Sequence, residues 1–339
     1  MLVRIDFDKF SRMAGSATSR DAEKTYIYLR IGLVAAVAWL FISVAETSIS
    51  TNCIQYSLSD YYYTTSHSVF VASLCAIGVI MIAYQGSIPA EEILLDFSGF
   101  LAIVVAVVPF TPSPENGPQG AHACGLSLPT DADGTVGSVN NLSSLLVTAV
   151  VAVLTYWLVR PRSSADRALS NDERGPRRPT GSTVRLADFV LGPGQVITST
   201  VAVLYLLAGI IWFVSAPMQF RLHAHNLAAF GLFFGIVFVA VFYACYAALE
   251  GKTEAKIYIT IGTLMAVTLI VVAILREGNI ATGRATLWFE SILIAEFASF
   301  WLVQTRDLWH TRKYQPPMVA RAGRRQNQSD GRFPPETAL

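Results

Sequence analysis

Eight long apolar runs alternate with shorter polar stretches along the 339 residues of the chain. A helix rises about 1.5 Å per residue, so about 20 apolar residues cross the roughly 30 Å hydrocarbon layer of a bilayer. Helices are expected because the alternating pattern of a membrane barrel strand is absent. The pattern predicts an all-α polytopic transmembrane helical bundle of about eight spans, at residues 28–46, 67–84, 93–110, 142–159, 195–214, 226–249, 257–275 and 285–304.

The polar stretches divide the predicted bundle into two halves. Residues 28–160 form a first four-helix membrane half and residues 195–304 a second. Residues 161–194 are rich in Arg, Ser, Pro and Gly, which is typical of a flexible basic linker. Residues 1–27 form a cytoplasmic N-terminal segment, and the Pro-containing residues 305–339 are predicted to be a disordered cytoplasmic tail.

Composition excludes a soluble enzyme, because 53% of the residues are hydrophobic and only 14% are charged, against about a quarter in soluble domains. The net charge of +1 gives no reason to expect nucleic acid as a partner. The expected partners are membrane lipids, and the oligomeric state stays open.

The distribution of basic residues predicts the orientation in the cell membrane. Of the 25 Lys and Arg residues, 22 lie in the N-terminal stretch, the linker, the turn after the sixth span and the tail. The opposite side holds only Arg221, Arg276 and Arg284. The positive-inside rule therefore places both termini in the cytoplasm.

The four cysteines test this topology. Cys75 and Cys245 fall within predicted spans, whereas Cys53 and Cys124 fall in loops on the exterior side. Because exterior thiols can oxidise, we predict a disulfide between Cys53 and Cys124.

Most ionisable and polar groups of the spans are predicted to share one depth, near the outer face. Two interpretations stay open: the groups hydrogen-bond to one another and fix helix register, or His67, His225, Glu46 and Glu290 bind zinc and activate water. His223 and His225 point about 200° apart on a regular helix, so both can bind one ion only if the chain is extended there. The outer polar cluster comprises Glu46, Ser48, Ser50, His67, His223, His225, Asn226, Arg284 and Glu290.

Two intramembrane carboxylates lie deeper. Glu296 is near the middle of the eighth span and is expected to face the bundle interior, as either a structural or a functional group. Asp96 in the third span lies at a depth comparable with Arg30 in the first, so an ion pair between them is possible.

A further observation comes from short stretches of the sequence: Ser48-Ile49-Ser50, Tyr61-Tyr62-Tyr63-Thr64, Val69-Phe70-Val71, Ala76-Ile77-Gly78, Leu94-Leu95-Asp96, His225-Asn226-Leu227-Ala228-Ala229, and Glu296 followed by Phe300-Trp301 and Gln304-Thr305. These stretches resemble a family of uncharacterised bacterial polytopic membrane proteins and, more distantly, the Frag1/DRAM/Sfk1 membrane proteins. The resemblance implies a helical bundle associated with lipid handling or membrane organisation, and it singles out Ser48, Ser50, His225 and Glu296. Spans four and five, with the linker, look like an insertion into a six-helix pattern.

Three functional hypotheses follow. The preferred one is a non-enzymatic integral membrane protein that binds or organises lipid through an outward-facing polar pocket. The second is a metal-dependent membrane lipid hydrolase, with zinc as the possible metal, although no paired-histidine HxxxH helix is present. The third is a proton-coupled transporter that uses Glu296. The lack of an internal repeat in the sequence counts against this hypothesis.

Overall fold

The computed structural model describes residues 7–86, 89–108, 131–159, 193–249, 255–277 and 284–311. Within these ranges the regular structure is helical and no strand occurs. A short 3₁₀ helix, Ser59–Tyr63, lies between the first two α-helices. The α-helices are α1 (Phe7–Ser50), α2 (His67–Ala83), α3 (Pro89–Val107), α4 (Asp131–Val159), α5 (Pro193–Ser215), α6 (Pro217–Leu249), α7 (Ala255–Glu277) and α8 (Ala285–Thr311).

The predicted all-α class is confirmed, and each of the eight predicted spans falls on one helix. Most of the helices extend beyond the apolar runs, above all α1, which begins at Phe7 rather than near residue 28, whereas α2 ends one residue earlier than predicted. An established helix gains one hydrogen bond for each residue added, so polar flanks can continue it. Three helices begin at a proline, whose missing N–H costs nothing in the first turn: Pro89, Pro193 and Pro217.

Five helices are long and apolar enough to cross a membrane: α1 over Lys24–Ser50, α5, α6 over Pro217–Cys245, α7, and α8 over Ala285–Arg306. The apolar stretches His67–Ala83 and Val139–Thr155 are shorter, and α3 carries Glu91 and Glu92 in its first turn. The protein is therefore membrane-embedded. The total of eight spans and the cytoplasmic termini stay predictions.

Six helices form a closed ring in the order α1, α2, α3, α6, α7, α8, with α8 packed again on α1. The ring has an apolar centre to which each helix contributes. Side chains there that are almost completely buried include Leu40, Met81, Leu95, Val239, Met265 and Leu293.

The remaining two helices lie outside the ring. Both α4 and α5 pack on α3 and α6, and neither takes part in closing the ring. The ring helices are those that carry most of the stretches resembling known families, while that resemblance itself stays a prediction.

Glycines permit the closest helix contacts. A Cβ atom added to Gly78 of α2 would lie 2.5 Å from the carbonyl oxygen of Gly99 in α3, and one added to Gly99 would lie 2.6 Å from the carbonyl oxygen of Gly78. Small residues of this kind let membrane helices approach backbone to backbone. Gly231 and Gly235 of α6 likewise face side chains of α3 within the same chain.

Replacing Gly78 with Val should destabilise the fold by about 1–3 kcal/mol, the usual cost of overpacking, because α2 and α3 must separate. The measurement is the thermal unfolding temperature of the detergent-purified protein. Gly209→Ala is the control, since a Cβ at Gly209 meets no atom within 4 Å. Equal unfolding temperatures for the two variants would contradict the backbone contact.

Candidate functional site

A folded segment closes one end of the ring. We call residues 51–66, between α1 and α2, the cap, and the end it covers the cap end. Asn52, with φ of 50°, turns the chain away from α1 in the left-handed region that Asn tolerates. The cap residues whose side chains are buried are Gln55, Ser57, Leu58, Asp60, Tyr61 and Ser66.

The cap is shaped by its own short polar side chains. The Ser57 N–H donates to Asp60 Oδ2 at 2.9 Å, and the Asp60 N–H donates to Ser57 Oγ at 3.2 Å. The Thr64 hydroxyl donates to the Tyr61 carbonyl at 2.7 Å. Side chains that bond to nearby backbone in this way favour turns.

His225 of α6 forms hydrogen bonds with the cap and with the end of α3. It is 2% exposed, and its Nδ1 lies 2.7 Å from the carbonyl oxygen of Val108. A carbonyl oxygen only accepts, so Nδ1 carries a proton and donates. In the neutral ring Nε2 then accepts from the Ser59 hydroxyl at 2.8 Å.

Residues around the start of α8 form hydrogen bonds with the neighbouring backbone of the cap. Glu290 Oε2 accepts from the Leu58 N–H at 2.8 Å, and Arg284 Nε donates to the Ile54 carbonyl at 3.1 Å. Together with the bond between the Leu287 N–H and the Tyr56 carbonyl at 2.9 Å, these contacts satisfy cap backbone groups.

The other residues of the predicted outer polar cluster are arranged differently. The Ser48 hydroxyl bonds to the Tyr61 hydroxyl, and His67 Nδ1 donates to the Tyr62 carbonyl at 2.7 Å. Ser50 bonds to the Thr47 carbonyl of its own helix. Glu46 is exposed and Asn226 is partly buried.

The two histidines of α6 diverge as helical geometry requires. Because α6 begins at Pro217, His223 and His225 both lie on regular helix. His225 points into the protein, while His223 is exposed and donates to the Gln219 carbonyl. In the described part of the chain, His67, His225, Glu46 and Glu290 form no metal-binding group of three or more His, Cys, Asp or Glu side chains.

Burial raises the pKa of the Asp60 carboxyl above its ordinary value of 3.8, because water is removed from the charged form. The hydrogen bonds from Ser57 oppose this effect only partly. Asp60 is 7% exposed. Protonation of Asp60 therefore favours the folded cap.

The end of the ring opposite the cap contains a buried polar cluster that sequence inspection missed. Arg30, 2% exposed, donates from Nη1 to the Gln304 carbonyl at 2.7 Å and from Nη2 to the Tyr84 hydroxyl. Its guanidinium carbon lies 5.2 Å from the ring centre of Tyr84 and 5.7 Å from that of Trp301. Glu91, Tyr243 and Tyr258 are buried as well, and the ring centres of Tyr243 and Tyr258 lie 4.8 Å apart.

The suggested ion pair between Arg30 and Asp96 is wrong. Arg30 turns into the ring, whereas Asp96 is exposed on α3 and faces the α4 and α5 side. Equal depth along two helices does not determine the direction in which their side chains point.

Glu296 lies between α7 and α8. Its Oε1 accepts from the Thr268 hydroxyl at 3.2 Å, and its Oε2 is buried without a hydrogen-bond partner. It does not line the cavity at the ring centre. Glu296 therefore faces the neighbouring helix α7 and not the cavity at the ring centre.

The ring encloses a small cavity beneath the cap. Its volume is about 60 Å³, and its lining is apolar apart from Ser59 and Glu290. Ser59 of the cap and Glu290 of α8 therefore lie at the cap end of this small, otherwise apolar cavity.

A much larger cavity lies on the flank of the ring. We call it the lateral groove; it has a volume of about 880 Å³ and lies between α3, α4, α5 and α6. Its lining is apolar and includes the aromatic rings of Phe97, Tyr205 and Phe213. Asp96 is the one charged residue among the described residues that line it.

Only one cysteine of the predicted Cys53–Cys124 disulfide lies among the described residues. Cys75 and Cys245 carry free thiols, and Cys53 is not among the free cysteines. Cys124 lies outside the described residues, so its pairing with Cys53 stays a prediction.

Comparison of the chain with protein-family models, with curated proteins and with solved structures finds no match. The interpretation of the groove and of the cap therefore depends on their geometry.

Replacing His225 with Ala should loosen the cap, because Ser59 and Val108 lose their partner at about 1–3 kcal/mol for each buried group left unsatisfied. We expect faster deuterium exchange of backbone amides within residues 51–66, measured by mass spectrometry. His223→Ala should leave this exchange unchanged, since His223 bonds only within α6. Identical exchange in the two variants would show that His225 does not hold the cap.

Asp60→Asn should raise the thermal unfolding temperature at about pH 7 and have no effect below pH 3.8. A carboxyl pKa that is raised in the folded state makes the free energy of unfolding fall as the pH rises from 3.8 through the folded pKa. Asn resembles the protonated acid at every pH. A temperature difference between variant and wild type that does not vary with pH would contradict this prediction.

Proposed function

We propose that the protein is a non-enzymatic integral membrane protein that binds a membrane lipid in the lateral groove. The observation that carries this proposal is the volume of about 880 Å³ with an almost wholly apolar lining. Ligand cavities in proteins usually measure about 300–1,000 Å³. The groove therefore has room for an acyl chain.

The chemistry of the bilayer favours a lipid as the occupant. An apolar cavity of this size is not stabilised by water, which needs two to four polar partners for each molecule. Lipid tails are as apolar as the side chains of the groove and supply atoms for those side chains to pack against. Only 6% of the apolar window of α5 is buried within the protein, which leaves this helix open to such contacts.

The cap end is a weaker candidate for the lipid site. Its inward polar groups, His225 and Glu290, bond to cap residues and to the end of α3. The cavity beneath the cap, at about 60 Å³, is too small for an acyl chain. The lateral groove is therefore preferred to the outward-facing polar pocket that the sequence suggested.

Filling the groove should displace the lipid. Gly209 lines the groove and has no atom within 4 Å of an added Cβ, so Gly209→Trp adds bulk without a clash at the backbone. We expect co-purified lipid, measured by native mass spectrometry, to fall on the order of tenfold, or about 1.4 kcal/mol of binding free energy.

The matched control is Ile211→Trp, on the same helix at a residue that is 66% exposed and does not line the groove. It should retain the lipid content of the wild type. Equal lipid content in all three proteins would contradict the proposal. A change of oligomeric state in Gly209→Trp alone, without loss of lipid, would instead identify the groove as a contact with a second copy.

A further inference from the structure

Asp96 gives the lateral groove a negatively charged end. It lies on α3, exposed towards the groove, and no described residue forms a hydrogen bond or an ion pair with it. Glu92, four residues earlier and so on the same face of α3, is also exposed. No basic side chain lines the groove in the described ranges.

A carboxylate in apolar surroundings is costly and is by default paired or functional. The basic residue at a comparable depth, Arg30, donates instead to Gln304 and Tyr84. Among the described residues, therefore, nothing neutralises the charge of Asp96, which faces the groove. Its field, with that of Glu92, favours a cationic group and disfavours an anionic one.

The position of Asp96 matches the polar end of an amphiphile. Ser199 lines the groove near the start of α5, and Phe213 lines it near the end of the same helix. At about 1.5 Å per residue these two residues are separated by about 21 Å along the helix axis. Asp96 is closer to the N-terminal end of the groove-lining part of α3, and the aromatic lining extends away from it.

We propose that Asp96 recognises a lipid head group that carries a primary ammonium, whose N–H groups donate to the carboxylate while the acyl chain follows the apolar lining. This inference rests on the proposed function and adds head-group selectivity to it. Hydrogen bonds between an ammonium and a carboxylate are charge-assisted and stronger than neutral ones. Phosphatidylethanolamine is a bilayer lipid with this head group.

The experiment compares phosphatidylethanolamine, phosphatidylglycerol and phosphatidylcholine with identical acyl chains. Each is titrated into the delipidated full-length protein, and the bound lipid is counted by native mass spectrometry. The wild type should prefer phosphatidylethanolamine to both others. In Asp96→Asn the preference should fall on the order of tenfold, or about 1.4 kcal/mol, while lipid still binds.

Glu46→Gln is the control, because Glu46 is an exposed acid at the cap end and does not line the groove. It should keep the head-group preference of the wild type. Lipid that binds without preference, or with a preference that Asp96→Asn does not change, would overturn the role of Asp96 and leave lipid binding intact. Equal binding of phosphatidylcholine and phosphatidylethanolamine would overturn recognition through N–H donors. Absence of lipid binding in the wild type would overturn the proposed function as well.

Discussion

The ring depends on a buried cation at the end opposite the cap. A guanidinium removed from water is stable only where acceptors and aromatic faces replace its hydration, and desolvation otherwise costs several kcal/mol. Arg30 meets this condition through the Gln304 carbonyl, the Tyr84 hydroxyl and the faces of Tyr84 and Trp301. These partners belong to the end of α2 and to α8, so one side chain of α1 connects both of its neighbours in the ring.

At the other end of the ring, the buried backbone groups of the cap also need hydrogen-bond partners. Its irregular backbone covers an apolar cavity, and buried N–H and C=O groups must be paired wherever they lie. Glu290 and Arg284 pair with backbone groups of the cap, and His225 accepts from the Ser59 side chain; all three residues are far from the cap in the sequence. Several members of the predicted outer polar cluster thus support the cap, which leaves the lateral groove, the larger of the two described cavities, as the one with room for a ligand.

Hydropathy alone identified the eight helices, because apolar composition and length are local properties. Helical periodicity also predicted that His223 and His225 would diverge, which the structure confirms. The partner of Arg30 was missed because depth in the membrane gives no rotation about the helix axis. The cap and the groove depend on the order of helices around the ring: Ser59 meets His225 across 166 residues. A single sequence does not provide that order.

The separation of α4 and α5 from the ring has a mechanical consequence. Neither helix takes part in closing the ring, so a displacement of the two in the plane of the bilayer would leave the contacts that close the six-helix scaffold unchanged. Such a movement would break the hydrogen bonds from the Tyr205 hydroxyl to the Leu227 carbonyl and from the Asn141 side chain to the Val107 carbonyl, while neighbouring acyl chains would pack on the apolar surfaces that it uncovers. The width of the opening between the scaffold and its two outlying helices would then vary with the lateral pressure and chain length of the surrounding membrane.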